Sequence, residues 1–220
     1  MIYKELTYDE LCIDRHEVYE AMQFGSDGPD ETSKQEIDGL LSRIREILKP
    51  RFCYEILESL PPFELGKIIN TQLKGSEAYA LFICTAGREF MTFSEQIKEN
   101  NDIFQTFAVD AIGSVIAEKC ADRMELFLES ELASRGWLHT NRFSPGYCGW
   151  HVSQQQILFP VFKGKTCDVT LTESSLMIPI KSVSGVIGLG AKVSKREYTC
   201  GLCNLQTCYR RKTIKPTIRS

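Results

Sequence analysis

Between residues 102 and 134 the chain carries no proline and no pair of glycines, and this stretch constrains the fold more than any other. Ile103, Phe107, Val115, Ile116, Met124 and Phe127 recur at helical spacing and supply an apolar face. Asp110, Ser114, Glu118 and Asp122 form a polar row four residues apart, on one side of a helix. At about 1.5 Å of rise per residue the pattern predicts one helix of up to ~50 Å, long enough to run along a whole domain. Helical periodicity already begins near Phe90.

The segments before it alternate in type. Thr7-Tyr-Asp-Glu10 has the form of a capping box, and Leu11, Val18 and Met22 follow, so a short helix is expected over about 8–22. A turn-rich break at Phe24–Pro29 follows, then a second box at Ser33–Glu36. Ile37, Leu40, Leu41, Ile44 and Leu48 line the next helix until Pro50. Residues 51–57 alternate as a strand, and the nearly continuous apolar run 78–85 suits a buried one. After the long helix the chain changes character. Asn141–Trp150 reads as a loop, 152–162 as a short helix, 168–172 as a strand, and 177–190 as a strand leading into glycine-rich turns. Helices and strands are grouped rather than strictly alternating. The expected class is therefore α+β, a mixed or antiparallel sheet packed with long helices.

Composition narrows the functional classes. A chain of 220 residues with 43% hydrophobic and 25% charged residues is ordinary globular material, neither collagen-like nor wholly disordered. It buries roughly 70% of its unfolded surface, so a core needs no disulfide or metal. No window of about 20 residues is uninterruptedly apolar, and the first ten residues lack an apolar signal core; a cytoplasmic protein without a membrane span is expected. Its nine cysteines should then be reduced thiols. Charge is uneven. From Lys192 to Ser220 eight basic residues face Glu197 alone, a balance of +7, which leaves −10 on residues 1–191 of a chain whose total is −3. Nucleic-acid binding is not expected, because the body is acidic and only Tyr198 and Tyr209 interleave the basic tail. Three parts are anticipated: an N-terminal subdomain or extension over 1–75, a core over 76–191, and a basic cysteine-containing tail over 192–220.

Two segments carry candidate chemistry. In Arg142-Phe-Ser-Pro-Gly-Tyr147 the guanidinium is a fixed fork suited to a carboxylate, the Pro-Gly turn exposes backbone, and Tyr147 offers a flat ring with a hydroxyl. A zwitterionic, amino-acid-like ligand would suit that set; on spacing alone a plain surface loop with an exposed Arg and a packed Tyr is the default. Residues 171–185 alternate hydroxyls, Glu173 and Lys181 with apolar side chains, which alone fits a strand pair with a polar face.

Together the two segments resemble the activation domain of cobalamin-dependent methionine synthase. The family's Arg-x-x-x-Gly-Tyr signature is matched by Arg142, Gly146 and Tyr147. Its later Thr-Glu-Ser and Met-x-Pro-x-x-Ser-Val-Ser-Gly runs are matched by Thr172–Ser174 and by Met177, Pro179, Ser182, Val183, Ser184 and Gly185. Ala117-Glu118 falls in register with an Ala-Glu pair on the family's long helix. The chain departs from the family after Gly185, where Val186-Ile187 replaces an aromatic pair. The resemblance implies S-adenosylmethionine as ligand and cobalamin carried by a partner. It also implies a stand-alone reactivation protein that supports reductive methylation of cob(II)alamin to methylcobalamin on a methionine synthase or another corrinoid methyltransferase. By the same resemblance Arg142 would hold the methionyl carboxylate, Gly146 would admit close backbone approach, Tyr147 would wall the pocket and Glu118 would balance the ammonium or sulfonium. Ser182, Ser184 and Gly185 would complete the site. A docking module that binds a corrinoid protein but no methyl donor is the alternative.

Cys200, Cys203 and Cys208 form a C-x2-C-x4-C cluster. Three thiolates at this spacing suit zinc or an iron–sulfur cluster, with Cys148, Cys167, a histidine or a partner completing the set. A redox protein delivering the required electron through this tail, or drawing it from a separate donor protein, is a further reading. His16, His139 and His151 do not pair at ligand spacing and are expected to be structural. No Gly-x-Ser-x-Gly elbow, Walker loop or Gly-x-Gly-x-x-Gly fingerprint occurs.

Overall fold

The strands expected over 51–57 and 78–85 have those same bounds in the computed structural model, which describes residues 1–196. Strands β1 (Ile2–Glu5), β2 (Arg51–Leu57), β3 (Ala78–Thr85), β4 (Leu138–His139) and β7 (Ser182–Gly190) form one sheet in the order β1-β2-β3-β7-β4. Every pairing in it is antiparallel. A separate two-stranded ribbon joins β5 (Thr170–Leu171) to β6 (Met177–Ile178). The helices are α1 (Tyr8–Leu11), α2 (Arg15–Ala21), α3 (Glu31–Ile47), α4 (Gly66–Gln72), α5 (Arg88–Glu99), α6 (Ile103–Ala133) and α7 (Gln155–Leu158). The architecture is the α+β fold with an antiparallel sheet and long helices that the sequence implies. Among the described residues no helix is long and apolar enough to cross a membrane.

The sheet is covered on both faces, and this explains the unbroken apolar run of β3. Phe82 and Cys84 point into a core shared with α2, α3, α5 and α6. Leu81 and Ile83, with the opposite pleat, enter a second core built from Leu65, Ile69, Trp150, Leu158 and Phe162. Strand alternation is present in space but invisible as hydrophobic alternation, because both faces are dry.

α6 has 31 residues, about 46 Å at the helical rise, and Asp102 caps it by accepting from the Gln105 amide at 2.9 Å. Five strands at about 4.8 Å spacing span only ~20 Å, so the helix overhangs the sheet. Ile103 and Phe107, expected in the apolar face, are exposed, on a different side of the helix from the buried Ala108 and the core-packed Phe104. Mid-helix, Gly113 admits the Phe90 ring: a Cβ there would lie 2.5 Å from it and 2.8 Å from Lys181 Cγ.

Other elements differ from expectation for local reasons. The helix over 8–22 is two helices, broken at Cys12 (φ 51°), each with its own capping box, Thr7/Glu10 and Asp14/Glu17. α3 is capped by Asp30, which accepts from the Ser33 amide at 2.7 Å, so the Ser33–Glu36 box lies inside the helix. Residues 152–162 form a chain of 3₁₀ turn, α7 and 3₁₀ turn, with Pro160 in the last. The strand over 168–172 is reduced to β5. The glycines after 184 do not form turns: Gly185 and Gly188 pair with Phe82 and Tyr79 inside β7, and Gly190 pairs with Leu138. Neighbours press on them from either side, Phe143 and Phe82 on Gly185 and Ser76 on Gly188, so only glycine lets the layers close.

Candidate functional site

The site is assembled where the chain leaves α6 and returns along the edge of β7. His139 pairs with Leu189, and Phe143 bridges Val186. Four steps on one side thus oppose three on the other, a bulge that re-aims the side chains between them. Thr140 spans the gap, its amide donating to the Gly188 carbonyl at 2.8 Å and its hydroxyl accepting from the Gly188 amide at 2.9 Å.

Arg142 lies next to the Phe143 bridge, with its side chain against α6. Its Nη2 is 2.8 Å from Asp122 Oδ1 and 3.4 Å from Glu118 Oε2, and Nη1 is 3.3 Å from Glu125 Oε2. Residues 118, 122 and 125 follow i, i+4, i+7 and share one helical face. Burial by itself would lower the Arg142 pKa; the charges of Glu125, Asp122 and Glu118 outweigh it and raise the value, so the guanidinium stays protonated. Glu125 is almost fully buried and also pairs with Lys195 Nζ at 3.1 Å. Beside it, His139 Nε2 meets Glu129 Oε1 at 2.8 Å. The Asn141 side-chain amide locks the Arg196 backbone alongside, Nδ2 donating to its carbonyl at 2.9 Å and Oδ1 accepting from its amide at 2.8 Å.

The following loop is anchored at both ends and exposed in the middle. Phe143 is held by paired bonds to Val186, of 3.0 and 2.8 Å. Trp150 is buried with its ring edge-on to Phe63 at 5.2 Å between centroids. Between them the Gly146 amide donates to the Trp150 carbonyl at 2.7 Å, and Gly146 adopts φ 96°, open to a residue without a Cβ. Tyr147 is 58% exposed on the crest of this turn.

Arg142 and Glu118 thus meet between α6 and the loop, and Gly146 and Tyr147 follow on that loop. The β7 candidates stand behind it in the sheet. Ser184 is buried and its hydroxyl donates to Gln155 Oε1 at 3.0 Å. Ser182 Oγ lies 2.7 Å from the Pro179 carbonyl and 2.8 Å from Thr85 Oγ1. Gly185 is the spot over which the Phe143 carbonyl passes. Asp122, Glu125 and Lys195 join the cluster without having been singled out as site residues. The four-residue row from Asp110 already contained Asp122; Glu125 is masked in the sequence by the apolar stripe of Met124 and Leu128.

Cys200, Cys203 and Cys208 lie outside the described residues, so the metal or cluster expected there has no structural description. Among the described residues no three histidine, cysteine or acidic side chains are grouped to hold a metal ion. The six described cysteines are free thiols. Cys84 is paired with Cys120 and Cys167 with Cys53; burial pushes the Cys84 thiol up, and the shared hydrogen bond with Cys53, reinforced by burial, pushes Cys167 up.

The family model described as the vitamin B12 dependent methionine synthase activation domain matches residues 61–213, more than half of the chain. Among solved structures, a crystal structure of the MetH reactivation domain bound to AdoHcy is similar, with a TM-score of 0.63 at 15% identity over 85% of this chain and 77% of that one. No curated protein matches the sequence.

Proposed function

Because the chain belongs to the family of vitamin B12 dependent methionine synthase activation domains, we propose that it supports reductive methylation of a corrinoid held by a partner protein, with S-adenosylmethionine as methyl donor. The two cofactors supply the chemistry: one electron and the sulfonium methyl convert cob(II)alamin to methylcobalamin and leave S-adenosylhomocysteine. The partner in this reading is the corrinoid-binding module of a methionine synthase or of another corrinoid methyltransferase, the chain acts as a stand-alone component, and the electron comes from a donor protein.

The chain's own part is to bind and orient. Arg142 takes the methionyl carboxylate, Glu118 balances the ammonium or sulfonium, Gly146 leaves room for close backbone approach, and Tyr147 walls the site. Gly185 acts from behind, holding the loop at its height above β7, and Ser182 and Ser184 complete that wall through their bonds to Pro179, Thr85 and Gln155. The charges around the anchor are mixed: Glu118, Asp122 and Glu125 stand against Arg142 and Lys195. The observation that carries the reading is a largely buried, protonated guanidinium beside a helix carboxylate, on the same segment as an exposed phenol ring.

Calorimetry with S-adenosylhomocysteine tests it. The wild type should bind and Arg142→Ala should bind about 10- to 100-fold more weakly, the loss of a charge-assisted hydrogen-bond pair. Equal affinity in the two proteins removes Arg142 from the site. One observation favours the docking-module alternative: Val186 and Ile187, at the family's aromatic positions, are fully buried in the two cores. A wild type that binds a corrinoid module and no S-adenosyl compound would establish that reading.

A further inference from the structure

The contacts of Arg142 divide into an inner and an outer set. Inside, Glu125 is 6% exposed in its side chain and is held by Lys195 at 3.1 Å as well as by Arg142 Nη1 at 3.3 Å. Its second oxygen has no hydrogen-bond partner among the described residues, with His139 Nδ1 3.9 Å away, and the buried Arg142 Nη1 has none either, so Glu125 holds the guanidinium by charge. Outside, Asp122 is 51% exposed and takes Nη2 at 2.8 Å, with Glu118 more distant at 3.4 Å.

These two sets respond differently to an incoming anion. Withdrawing Arg142 from Glu125 would leave a buried carboxylate short of positive charge, which is strongly unfavourable. Releasing Asp122 returns a half-exposed carboxylate to water, and such pairs contribute little. A ligand carboxylate therefore has one inexpensive point of entry, the Nη2 edge that Asp122 occupies.

We propose that Asp122 is a placeholder for the ligand's carboxylate: it saturates the outer edge of Arg142, and an S-adenosyl amino acid binds by displacing it while Glu125 keeps the guanidinium in place. The proposal rests on the reading of Arg142 as the carboxylate anchor. Asp122 then acts by competition and sets the threshold affinity for amino-acid-bearing ligands. Nucleosides that lack the amino-acid moiety do not compete with it and are indifferent to its charge. If Asp122 served instead to attract the ligand's ammonium, its removal would have the opposite sign.

The experiment is calorimetric titration of the full chain and of its Asp122→Asn and Asp122→Ala variants. Two probes are used: S-adenosylhomocysteine, and 5′-methylthioadenosine, which keeps the nucleoside thioether and lacks the carboxylate. Both variants should bind S-adenosylhomocysteine about two- to fivefold more tightly, the scale of a half-exposed ion pair. The affinity for 5′-methylthioadenosine, or its absence, should be the same in all three proteins. Weaker or unchanged S-adenosylhomocysteine binding in the variants overturns the placeholder role, as does equal tightening of both probes. No S-adenosylhomocysteine binding by any of the three proteins overturns the reading of the site itself and this proposal with it.

Discussion

Gly185→Ala probes the contact that seats the Arg142 loop on the sheet. A Cβ at this position would overlap the Phe143 carbonyl oxygen and come within 2.9 Å of Phe82 Cζ. Phe82 is fully buried between β3 and the helices and has no free space to yield. Phe143 yields only by giving up its two backbone bonds to Val186. Two such bonds are worth about 2 kcal/mol net, and overpacking against Phe82 adds about 1–3 kcal/mol. Restricting the unfolded chain at a former glycine offsets about 0.4–1 kcal/mol. The balance is a destabilisation of about 2–5 kcal/mol, a fall in Tm of roughly 4–20 °C for a chain this long. Urea and thermal unfolding measure it. Gly39→Ala is the internal control, since Gly39 sits in α3 with no atom within 4 Å of an added Cβ; it should gain about 0.5–1 kcal/mol. S-adenosylhomocysteine affinity should also fall in Gly185→Ala, because Arg142 immediately precedes the displaced Phe143. A Gly185→Ala protein as stable as wild type would refute the argument that a close backbone approach holds this loop.

Two further predictions concern the framework. Burial pushes the Glu89 carboxyl up, but Arg51 hydrogen bonds of 2.7 and 3.2 Å outweigh it and hold the pKa below its ordinary 4.5. A carboxylate depressed in the folded state stabilises above its unfolded pKa, and that stabilisation is lost as pH falls through the folded value. Glu89→Gln should therefore cost about 2 kcal/mol near pH 7, and its gap from wild type should narrow as pH falls below about 4.5; a gap constant from pH 7 to pH 3 in urea unfolding would contradict the pairing. Asp102→Ala removes the cap of α6 and should cost about 1 kcal/mol, read as a lower urea midpoint with unchanged slope; an unchanged midpoint would show that the cap contributes nothing to the fold.

Much of this protein is written in local sequence. Periodicity without proline predicted α6, whose observed ends at Ile103 and Ala133 follow from the Asp102 cap and the Arg135-Gly136 turn. The β3 run and the alternation of β2 are equally local, because a strand needs only its own side chains to declare itself. The Arg142, Gly146 and Tyr147 motif could be read because turn chemistry and a resemblance both fall within six residues. The break at Cys12, the strand conformation of Gly185–Gly190 and the exposure of Ile103 and Phe107 could not. Each depends on what another part of the chain presses against, or fails to cover. The partners of Arg142 are of the same kind. Glu125 looks in sequence like an interruption of an apolar stripe. It becomes a buried counter-charge only because the bulge at the β7 edge turns a guanidinium toward α6. Local propensity determined which elements exist. The two-sided burial of the sheet and the bulge beside it decided which charges meet, since ion pairing depends on distance through space and the chain order does not encode that distance.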